Sequence, residues 1–238
     1  MSTRPLSMPR GILFDFGDTV MRTVSSDPMA GNARILELAE NQNGVTAEQL
    51  QQCADEIEAD VVLRKVEAMI EFGFQSFQRI LFDTLGLSFR IEAAELEQEF
   101  WRAAVKCEPA KGIREVLHTL ARFGIEAGIV SNCVFRGKVL EDELAAHGLL
   151  DHFNFVISSI DYGFRKPHRR IFDVAVKKLR FETSDVWFVG DRIERDIVGA
   201  RGAGLVPVWY NYGDENNSEP NCMMVRTWDE FRKTIEAL

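Results

Sequence analysis

The hydrophobic positions of this chain follow two different rhythms. Short apolar runs of the kind that form buried strands lie at 11–16, 126–130, 153–157, 186–189 and 205–209. Apolar residues at helical spacing predict intervening helices at 113–123, 137–147, 169–179 and 195–203. Strands that alternate with helices in this way are typical of a parallel sheet covered by helices on both faces.

The stretch from about 28 to 107 has a different texture. Its segments are long and charged, with apolar residues at helical spacing, and breaks at Gly44, Gly73 and Gly86 divide it into about four helices. A single buried strand cannot stand alone, so the strand at 11–16 must join the sheet and the helical block must be an insertion. We therefore predict an α/β protein, a three-layer parallel-sheet core over 8–24 and 109–238 with a helical-bundle cap over 25–108.

Composition excludes several classes of protein. The 238 residues are 46% hydrophobic and carry a net charge of −9, which argues against disorder and against affinity for nucleic acid or anionic lipid. No apolar run reaches the roughly 18 residues of a membrane span, and the first residues lack a secretion signal, so we expect a cytoplasmic protein. Cys53, Cys107, Cys133 and Cys222 lack metal-site spacing and suit reduced thiols. The polar segment 214–221 predicts an exposed loop.

Polar residues follow the predicted strands at the points where each strand ends. They are Asp15, Ser131, Asn132, Lys166, Asp191 and, about one turn later, Asp196. Ligands of open parallel sheets bind at the carboxyl edge, so we expect these side chains to converge there. Asp15 and Asp191 would repel each other unless a cation lay between them, and Mg²⁺ suits carboxylates while leaving positions for phosphate oxygens. With a hydroxyl and a lysine nearby, phosphate is the expected ligand, and Asp15 could attack it covalently.

Four motifs occur along the chain in a set order. They are DFGDTV from Asp15, VSN from Val130, Lys166 within FRKPHRRIF, and GDRIERDIVGARGAGL from Gly190. Together they resemble the haloacid dehalogenase-like hydrolase superfamily, whose members are mostly Mg²⁺-dependent phosphatases with a Rossmann-like core. The resemblance covers nearly the whole chain. The helical insertion resembles the family's C1-type cap, which closes over small or medium substrates.

The resemblance implies a role for each motif residue. Asp15 is the expected nucleophile, and the expected phosphate-binding residues are Thr19, Ser131, Asn132 and Lys166. The expected Mg²⁺ ligands are Asp15, the main-chain carbonyl of Gly17, Asp191 and Asp196, although Asp196 could instead orient Lys166. The implied activity is hydrolysis of a small phosphorylated substrate, while the oligomeric state stays open.

The first motif departs from the family pattern at Gly17. Family phosphatases have a second aspartate there, which protonates the leaving group and then activates water. Asp18 could replace it, as if two letters were exchanged. Alternatively, the substrate has a good leaving group or the phosphoenzyme persists, or the protein only binds a phosphorylated ligand. General acid–base catalysis is typically worth about 10² to 10⁴ in rate, so the difference matters.

Carbon–halogen or carbon–phosphorus cleavage is a further alternative. Haloacid dehalogenases also lack the second acid, but they need no Mg²⁺ and usually lose the Gly-Asp pair that is present here as Gly190 and Asp191. Phosphonate cleavage needs a cap lysine, for which Lys65 is the obvious candidate. Substrate selection is expected to come from the cap, with candidates at Arg22, Arg34, Arg64, Lys65 and 72–77.

Overall fold

A computed structural model of the chain describes residues 7–213 and 222–238. The strands within these ranges are β1 Gly11–Phe14, β2 Met21–Ser26, β3 Val105–Pro109, β4 Glu126–Ser131, β5 Val156–Ser158, β6 Val186–Gly190, β7 Val206–Tyr210 and β8 Met223–Val225. Six of these described strands form one sheet in the order β5-β4-β1-β6-β7-β8, with every neighbouring pair parallel. The predicted α/β fold with a parallel sheet is therefore confirmed.

The helices of the described residues lie on both faces of this sheet and in the insertion. They are α1 Pro28–Leu38, α2 Ala47–Glu67, α3 Phe74–Leu85, α4 Ala93–Ala104, α5 Ile113–Phe123, α6 Gly137–Ala146, α7 Ser159–Tyr162, α8 Arg169–Leu179, α9 Gly199–Ala203 and α10 Trp228–Glu236. Local sequence sets several ends. Thr46 and Gln49 form a capping box at the start of α2, and α5 ends at Gly124 in the left-handed conformation.

Strand β1 shows how the core is divided between two faces. Ile12 and Phe14 pack in one apolar cluster with residues of α5, α6 and α10, whereas Leu13 packs in the other with residues of α8 and α9. Successive side chains of a strand point to opposite faces, so a strand buried on both sides must be apolar throughout. This explains the continuous apolar run and places β1 at the centre of three layers, with its carboxyl end leading directly to Asp15.

Helices α1 to α4 bury a separate apolar cluster that includes Ile35, Leu50 and Leu81. Two chain segments join this bundle to the sheet, and they pair with each other as the antiparallel strands β2 and β3. The predicted bundle of about four helices agrees with these four, and the proposed domain bounds at 25 and 108 stay a prediction. The expectation that 105–107 is helical was wrong, because these residues pair with β2 instead.

Other differences lie at the ends of elements. The strand expected at 153–157 is Val156–Ser158, because a 3-10 turn at Leu150–His152 precedes it. The helix expected at 195–203 begins earlier as a π-helical segment, Ile193–Val198, and continues as α9. Strands β2 and β8 and helices α7 and α10 were not predicted. The expected loop at 214–221 lies outside the described residues, and no helix of the described part combines the length and apolar character needed to cross a membrane.

Candidate active site

A cavity of about 210 Å³ lies at the carboxyl edge of the sheet. Sequence-predicted residues that line it are Asp15, Gly17, Asp18, Ser131, Asn132, Lys166 and Asp191. They come from segments that are far apart in the chain but follow neighbouring strands β1, β4 and β6. The expected convergence at one edge of the sheet is therefore present.

Asp15 is held in one orientation by its immediate surroundings. Its backbone N–H donates to the carbonyl of Val189 over 2.9 Å, which extends the pairing of β1 with β6. Its Oδ1 accepts a hydrogen bond from the N–H of Phe16 at 2.8 Å and lies 2.8 Å from the Nζ of Lys166. The carboxylate therefore faces the cavity with one oxygen already engaged.

Lys166 is a buried cation between two carboxylates. Its side chain is 1% exposed, and Nζ lies 2.8 Å from Asp15 Oδ1 and 2.7 Å from Asp196 Oδ1. Burial alone would lower the pKa of Lys166, but the charges of Asp15 and Asp196 outweigh burial and raise it. The lysine therefore stays charged and presents a fixed positive group to the cavity.

Asn132 positions Lys166 through the backbone. Its Oδ1 accepts from the Lys166 N–H at 2.7 Å, and its Nδ2 donates to the Lys166 carbonyl at 2.8 Å. Both ends of the amide are thus used to hold the lysine segment. The side chain thus positions Lys166 and also lines the cavity, and its expected role in binding phosphate stays a prediction.

Three carboxylates form a cluster that suits a divalent cation. Asp15, Asp191 and Asp196 each offer an oxygen, and these oxygens lie within 4.8 Å of one another. Burial, followed by the negative charges of Asp15 and Asp196, raises the pKa of Asp191 to about 7. Oxygen ligands at this spacing, with charge that Lys166 alone does not balance, fit Mg²⁺.

Asp196 occupies a deeper position than the other two acids. Its Oδ2 accepts from the Arg192 N–H at 3.0 Å, its Oδ1 faces Lys166, and the carboxylate packs against Gly190. A Cβ at position 190 would lie 2.5 Å from the Asp196 carboxyl carbon, so only glycine leaves room for it. Of the two expected roles of Asp196, these contacts favour the one that orients Lys166.

Thr19 does not line the cavity. It is fully buried, and its carbonyl accepts a hydrogen bond of 3.3 Å from the indole N–H of Trp228. Its side-chain Oγ1 is also buried and has no hydrogen-bond partner among the described residues. The expected contact of Thr19 with phosphate stays a prediction.

Gly17 and Asp18 show how the altered first motif is accommodated. A Cβ added at Gly17 would meet no atom within 4 Å, so an aspartate would fit there. Asp18 adopts the left-handed conformation with φ of 54°, and its N–H donates to the Met21 carbonyl at 2.7 Å. Aspartate tolerates this conformation better than most residues, whereas glycine adopts it freely. The aspartate therefore stands at position 18, where the backbone is left-handed, and the glycine stands at position 17, where a side chain would fit.

Several lining residues were not predicted. They are Phe16, Thr23, Trp101, Cys107, Cys133, Leu140, Arg192 and Arg195. Burial raises the pKa of Cys107 to about 11 and that of Cys133 to about 12, so both thiols stay protonated. The substrate-selecting candidates expected in the cap, which were Arg22, Arg34, Arg64, Lys65 and 72–77, do not line this cavity. The alternation of β2 and β3 could have identified Thr23 and Cys107, because both face the same side.

A comparison with protein families decides the relationship. The family model described as haloacid dehalogenase-like hydrolase matches residues 12–209, which include all four motifs. The chain belongs to this family. The suspected resemblance is therefore confirmed, and the haloacid dehalogenase-like hydrolases provide the frame in which the cavity is interpreted.

Relatives within the family carry different names. The chain is 37% identical over 105 residues to a glyceraldehyde 3-phosphate phosphatase of Pyrococcus abyssi, covering 43% of this chain and 42% of the relative. It is 30% identical over 132 residues to the pyrimidine 5'-nucleotidase YjjG of Escherichia coli, covering 55% and 57%. The chain thus spans about half the length of these relatives.

A solved structure shows the same fold. The 2-haloacid dehalogenase of Pseudomonas syringae superposes with a TM-score of 0.68 at 20% identity, covering 97% of this chain and 99% of that one. At this identity the likeness establishes the haloacid dehalogenase-like fold alone.

Proposed function

We propose that the protein is a Mg²⁺-dependent phosphatase that acts on a small phosphorylated metabolite through a phosphoryl group carried on Asp15. The observation that supports this most is the position of Lys166, buried between Asp15 and Asp196 and beside Asp191. A fixed cation next to a carboxylate nucleophile stabilises the negative charge of a phosphoryl group as it is transferred.

Asp15 supplies the nucleophile. Phe16 N–H and Lys166 hold its Oδ1, which leaves Oδ2 to form the bond to phosphorus while the ester oxygen departs with its electron pair and takes up a proton. Water then attacks the same phosphorus, the bond to Asp15 breaks, and inorganic phosphate leaves. Lys166, Ser131 and the backbone N–H groups after β4 hold the phosphoryl oxygens in both steps.

The carboxylates of Asp15 and Asp191, with the carbonyl of Gly17, are the residues that would hold Mg²⁺. When bound, the cation supplies positive charge that neutralises the phosphoryl oxygens and offsets the repulsion among the acids. Asp196 keeps Lys166 oriented through its contact of 2.7 Å.

Asp18 is the proposed source of general acid–base help. It lines the same cavity as Asp15, one residue after the usual acid position, which is Gly17 here. Its placement on a left-handed turn restricts how far the carboxylate can move. We expect it to protonate the leaving oxygen less well than an aspartate at position 17 would, so turnover favours esters with good leaving groups.

The names of the relatives suggest the size of the substrate. One relative is named for a triose phosphate and another for pyrimidine nucleotides, and both are small phosphate monoesters. The cavity of about 210 Å³ that Asp15, Lys166 and Asp191 line, which we call the catalytic cavity, admits a phosphoryl group and a short leaving group. Small phosphorylated metabolites are therefore the proposed substrate class.

Hydrolysis of p-nitrophenyl phosphate with Mg²⁺ tests the proposal. The purified protein should release p-nitrophenol, and Asp15→Asn should abolish release without lowering the melting temperature. Asp151→Asn, a change at an exposed aspartate, is the matched control and should keep full activity. Equal rates in Asp15→Asn and the unaltered protein would rule out the proposed nucleophile.

Gly17 favours a second candidate, a protein that binds a phosphorylated ligand without turnover. Such a protein would show no hydrolysis across a panel of phosphate monoesters but would still be stabilised by Mg²⁺ with inorganic phosphate. A dehalogenase differs from the proposed phosphatase in that it needs no metal ion. Release of chloride from 2-chloropropionate in excess EDTA would therefore replace the phosphatase proposal with dehalogenation.

A further inference from the structure

A second cavity, of about 330 Å³, lies within the cap, between α1 to α4 and the loop that follows β4. We call it the cap cavity. Six phenylalanines line it, namely Phe72, Phe74, Phe77, Phe82, Phe100 and Phe135. The ring centroid of Phe74 lies 4.5 Å from the ring centroid of Phe100 and 4.6 Å from that of Phe135, so these rings form one continuous aromatic wall. A cavity of this size and lining is typical of small-molecule sites, which start at about 300 Å³.

One polar side chain in this aromatic setting has no partner. Gln78 on α3 lines the cap cavity and is only 3% exposed. Among the described residues, neither its Nε2 nor its Oε1 finds a hydrogen-bond partner. A buried amide without partners is destabilising, and natural structures satisfy the great majority of such groups. The donor and acceptor of Gln78 are therefore available to a ligand.

Water alone is a poor occupant for this position. A buried water typically makes about three hydrogen bonds, but most of the residues that line the cavity are aromatic or aliphatic. Another amide of the lining, that of Asn32, already donates to Gln51 Oε1 at 2.8 Å. A ligand that brings its own donor and acceptor on an apolar body satisfies Gln78 without leaving other polar atoms unpaired.

Charges at the mouth of the cavity restrict the ligand further. Asp55 and Glu58 are exposed residues of α2 that line it, whereas the one lysine in the lining, Lys65, lies 3.9 Å from Glu71. Acidic side chains therefore outnumber basic ones among the described residues of the lining, and an anionic group such as a carboxylate or phosphate is disfavoured there.

The cap cavity and the catalytic cavity share a partition. Adjacent residues of α4 face different cavities, Phe100 the cap cavity and Trp101 the catalytic one. In the loop after β4, Cys133 lines the catalytic cavity and Phe135 the cap cavity. The rings of Trp101 and Phe135 meet edge to face with centroids 5.0 Å apart, so two aromatic side chains separate the sites.

We infer that the cap cavity is a binding site for a small, uncharged or cationic aromatic group that bears an amide-like pair of donor and acceptor, with Gln78 as the residue that recognises it. The group belongs to a separate molecule, because the rings of Trp101 and Phe135 lie between this cavity and the one that Asp15 lines. Binding itself does not depend on the proposed phosphatase activity, so a failure of either proposal leaves the other testable.

Benzamide is the probe, because its ring suits the aromatic wall and its amide can exchange two hydrogen bonds with Gln78. Titration followed by NMR or calorimetry should show saturable binding to the unaltered protein. Gln78→Leu should weaken binding by at least about tenfold, since both hydrogen bonds are lost. Gln52→Leu, at an exposed glutamine of α2, is the matched control and should bind normally. Benzoate, which has the same ring but a negative charge, should bind at least about tenfold more weakly than benzamide.

Melting temperature provides an independent readout and confirms folding. Gln78→Leu should melt at or above the temperature of the unaltered protein, because an unpaired amide has been removed; Gln78→Met, with a closer shape, should behave likewise. Absence of saturable benzamide binding up to its solubility limit, or equal binding by Gln78→Leu, would overturn the inference. A lower melting temperature for both variants would also overturn it, since the amide would then be satisfied within the protein.

Kinetics with p-nitrophenyl phosphate test whether the ligand is a separate molecule. Benzamide should then bind at Gln78 while KM for p-nitrophenyl phosphate stays constant. A competitive rise in KM would overturn this part of the inference, because the two cavities would then be continuous. Binding can still be measured if no hydrolysis occurs.

Discussion

The catalytic cavity and the cap cavity lie on either side of the Trp101–Phe135 pair, yet they are built in opposite ways. In the catalytic cavity the charged groups are close enough to balance one another, with Lys166 within 2.8 Å of two carboxylates. In the cap cavity the walls are largely aromatic, and one of the two deeply buried amides among the described lining residues, Gln78, has no hydrogen-bond partner there.

The two cavities differ in which part of the fold determines their geometry. The charges of the catalytic cavity come from residues at strand ends, whose positions the sheet determines, so their geometry exists before substrate arrives. The cap cavity gains its shape from side-chain packing between helices, which can change without disturbing the sheet. Most residues of the proposed phosphate site thus come from the sheet edge and most residues of the proposed ligand site come from the helical insertion, with Trp101 and Phe135 among the exceptions.

The largest expected effect comes from the nucleophile. Asp15→Asn should lower kcat for p-nitrophenyl phosphate by about 10³-fold or more, because the amide cannot accept a phosphoryl group. The binding of benzamide to the cap cavity should stay unchanged in the same variant. Steady-state kinetics measure kcat, and a titration measures the binding of benzamide. Loss of both kcat and benzamide binding in Asp15→Asn would show that the two cavities are not separate.

Loss of the buried cation should lower stability in addition to the proposed activity. Lys166→Met leaves Asp15 and Asp196 buried without their partner, and breaking such an arrangement typically costs about 3–5 kcal/mol in the free energy of unfolding. Urea unfolding measures the change. Lys177→Met, at an exposed lysine of α8, should lie within about 0.5 kcal/mol of the unaltered protein. A change in the free energy of unfolding that is equally small in Lys166→Met would contradict the pairing of Lys166 with Asp15 and Asp196.

Restoring the usual order of the first motif should raise turnover. Gly17→Asp combined with Asp18→Gly places an acid where a side chain meets no obstruction and glycine where φ is 54°. We expect kcat for an alkyl phosphate to rise by about 10²-fold, which is about 2.7 kcal/mol, because a poor leaving group needs protonation. Adding Asp15→Asn to this variant should remove the gain. Unchanged or lower turnover would show that Asp18 already performs the role.

The smallest effect concerns pH and Mg²⁺. In the ion-free protein the pKa of Asp191 is raised to about 7, mainly by burial and then by Asp15 and Asp196, so the folded state holds a proton that the unfolded state releases near pH 4. Its contribution to stability therefore falls as pH rises from about 4 to 7. Mg²⁺ competes with that proton for Asp191. As the pH rises towards 7, the stabilisation of the folded protein by Mg²⁺ should therefore increase by up to about 1.4 kcal/mol per pH unit.

Thermal melts with and without Mg²⁺ between pH 5.5 and 8 measure this dependence, and calcium serves as a comparison ion of larger radius. A shift that is independent of pH would indicate that the cation binds away from Asp191.

The parts of the fold that could be predicted are those in which one local rule dominates. The bounds of α5 and α8 agree with the expected 113–123 and 169–179, because both helices have a clear apolar face and end in a left-handed residue. The ends of the buried strands β1, β4 and β6 correctly indicated the edge at which Asp15, Ser131 and Asp191 meet. Periodicity and topology were enough for that part of the site.

The parts that could not be predicted depend on contacts between distant segments. Thr19 and Asn132 follow the family pattern in sequence, but only the packing shows that one is fully buried and the other holds the backbone of Lys166. Strands β2 and β3 are largely exposed, so they lack the apolar run that identifies a buried strand in the sequence. Gln78 is likewise an ordinary polar residue in the sequence, and its isolation is visible only when three helices surround it.

The edge-to-face contact of Trp101 with Phe135 has a consequence for how this enzyme scaffold could be diversified. The two rings that separate the cavities are both uncharged, and each lines a different cavity. Shortening both would bring the two cavities into contact without altering any charged group at the sheet edge. Longer esters would then be admitted through a change confined to two hydrophobic positions.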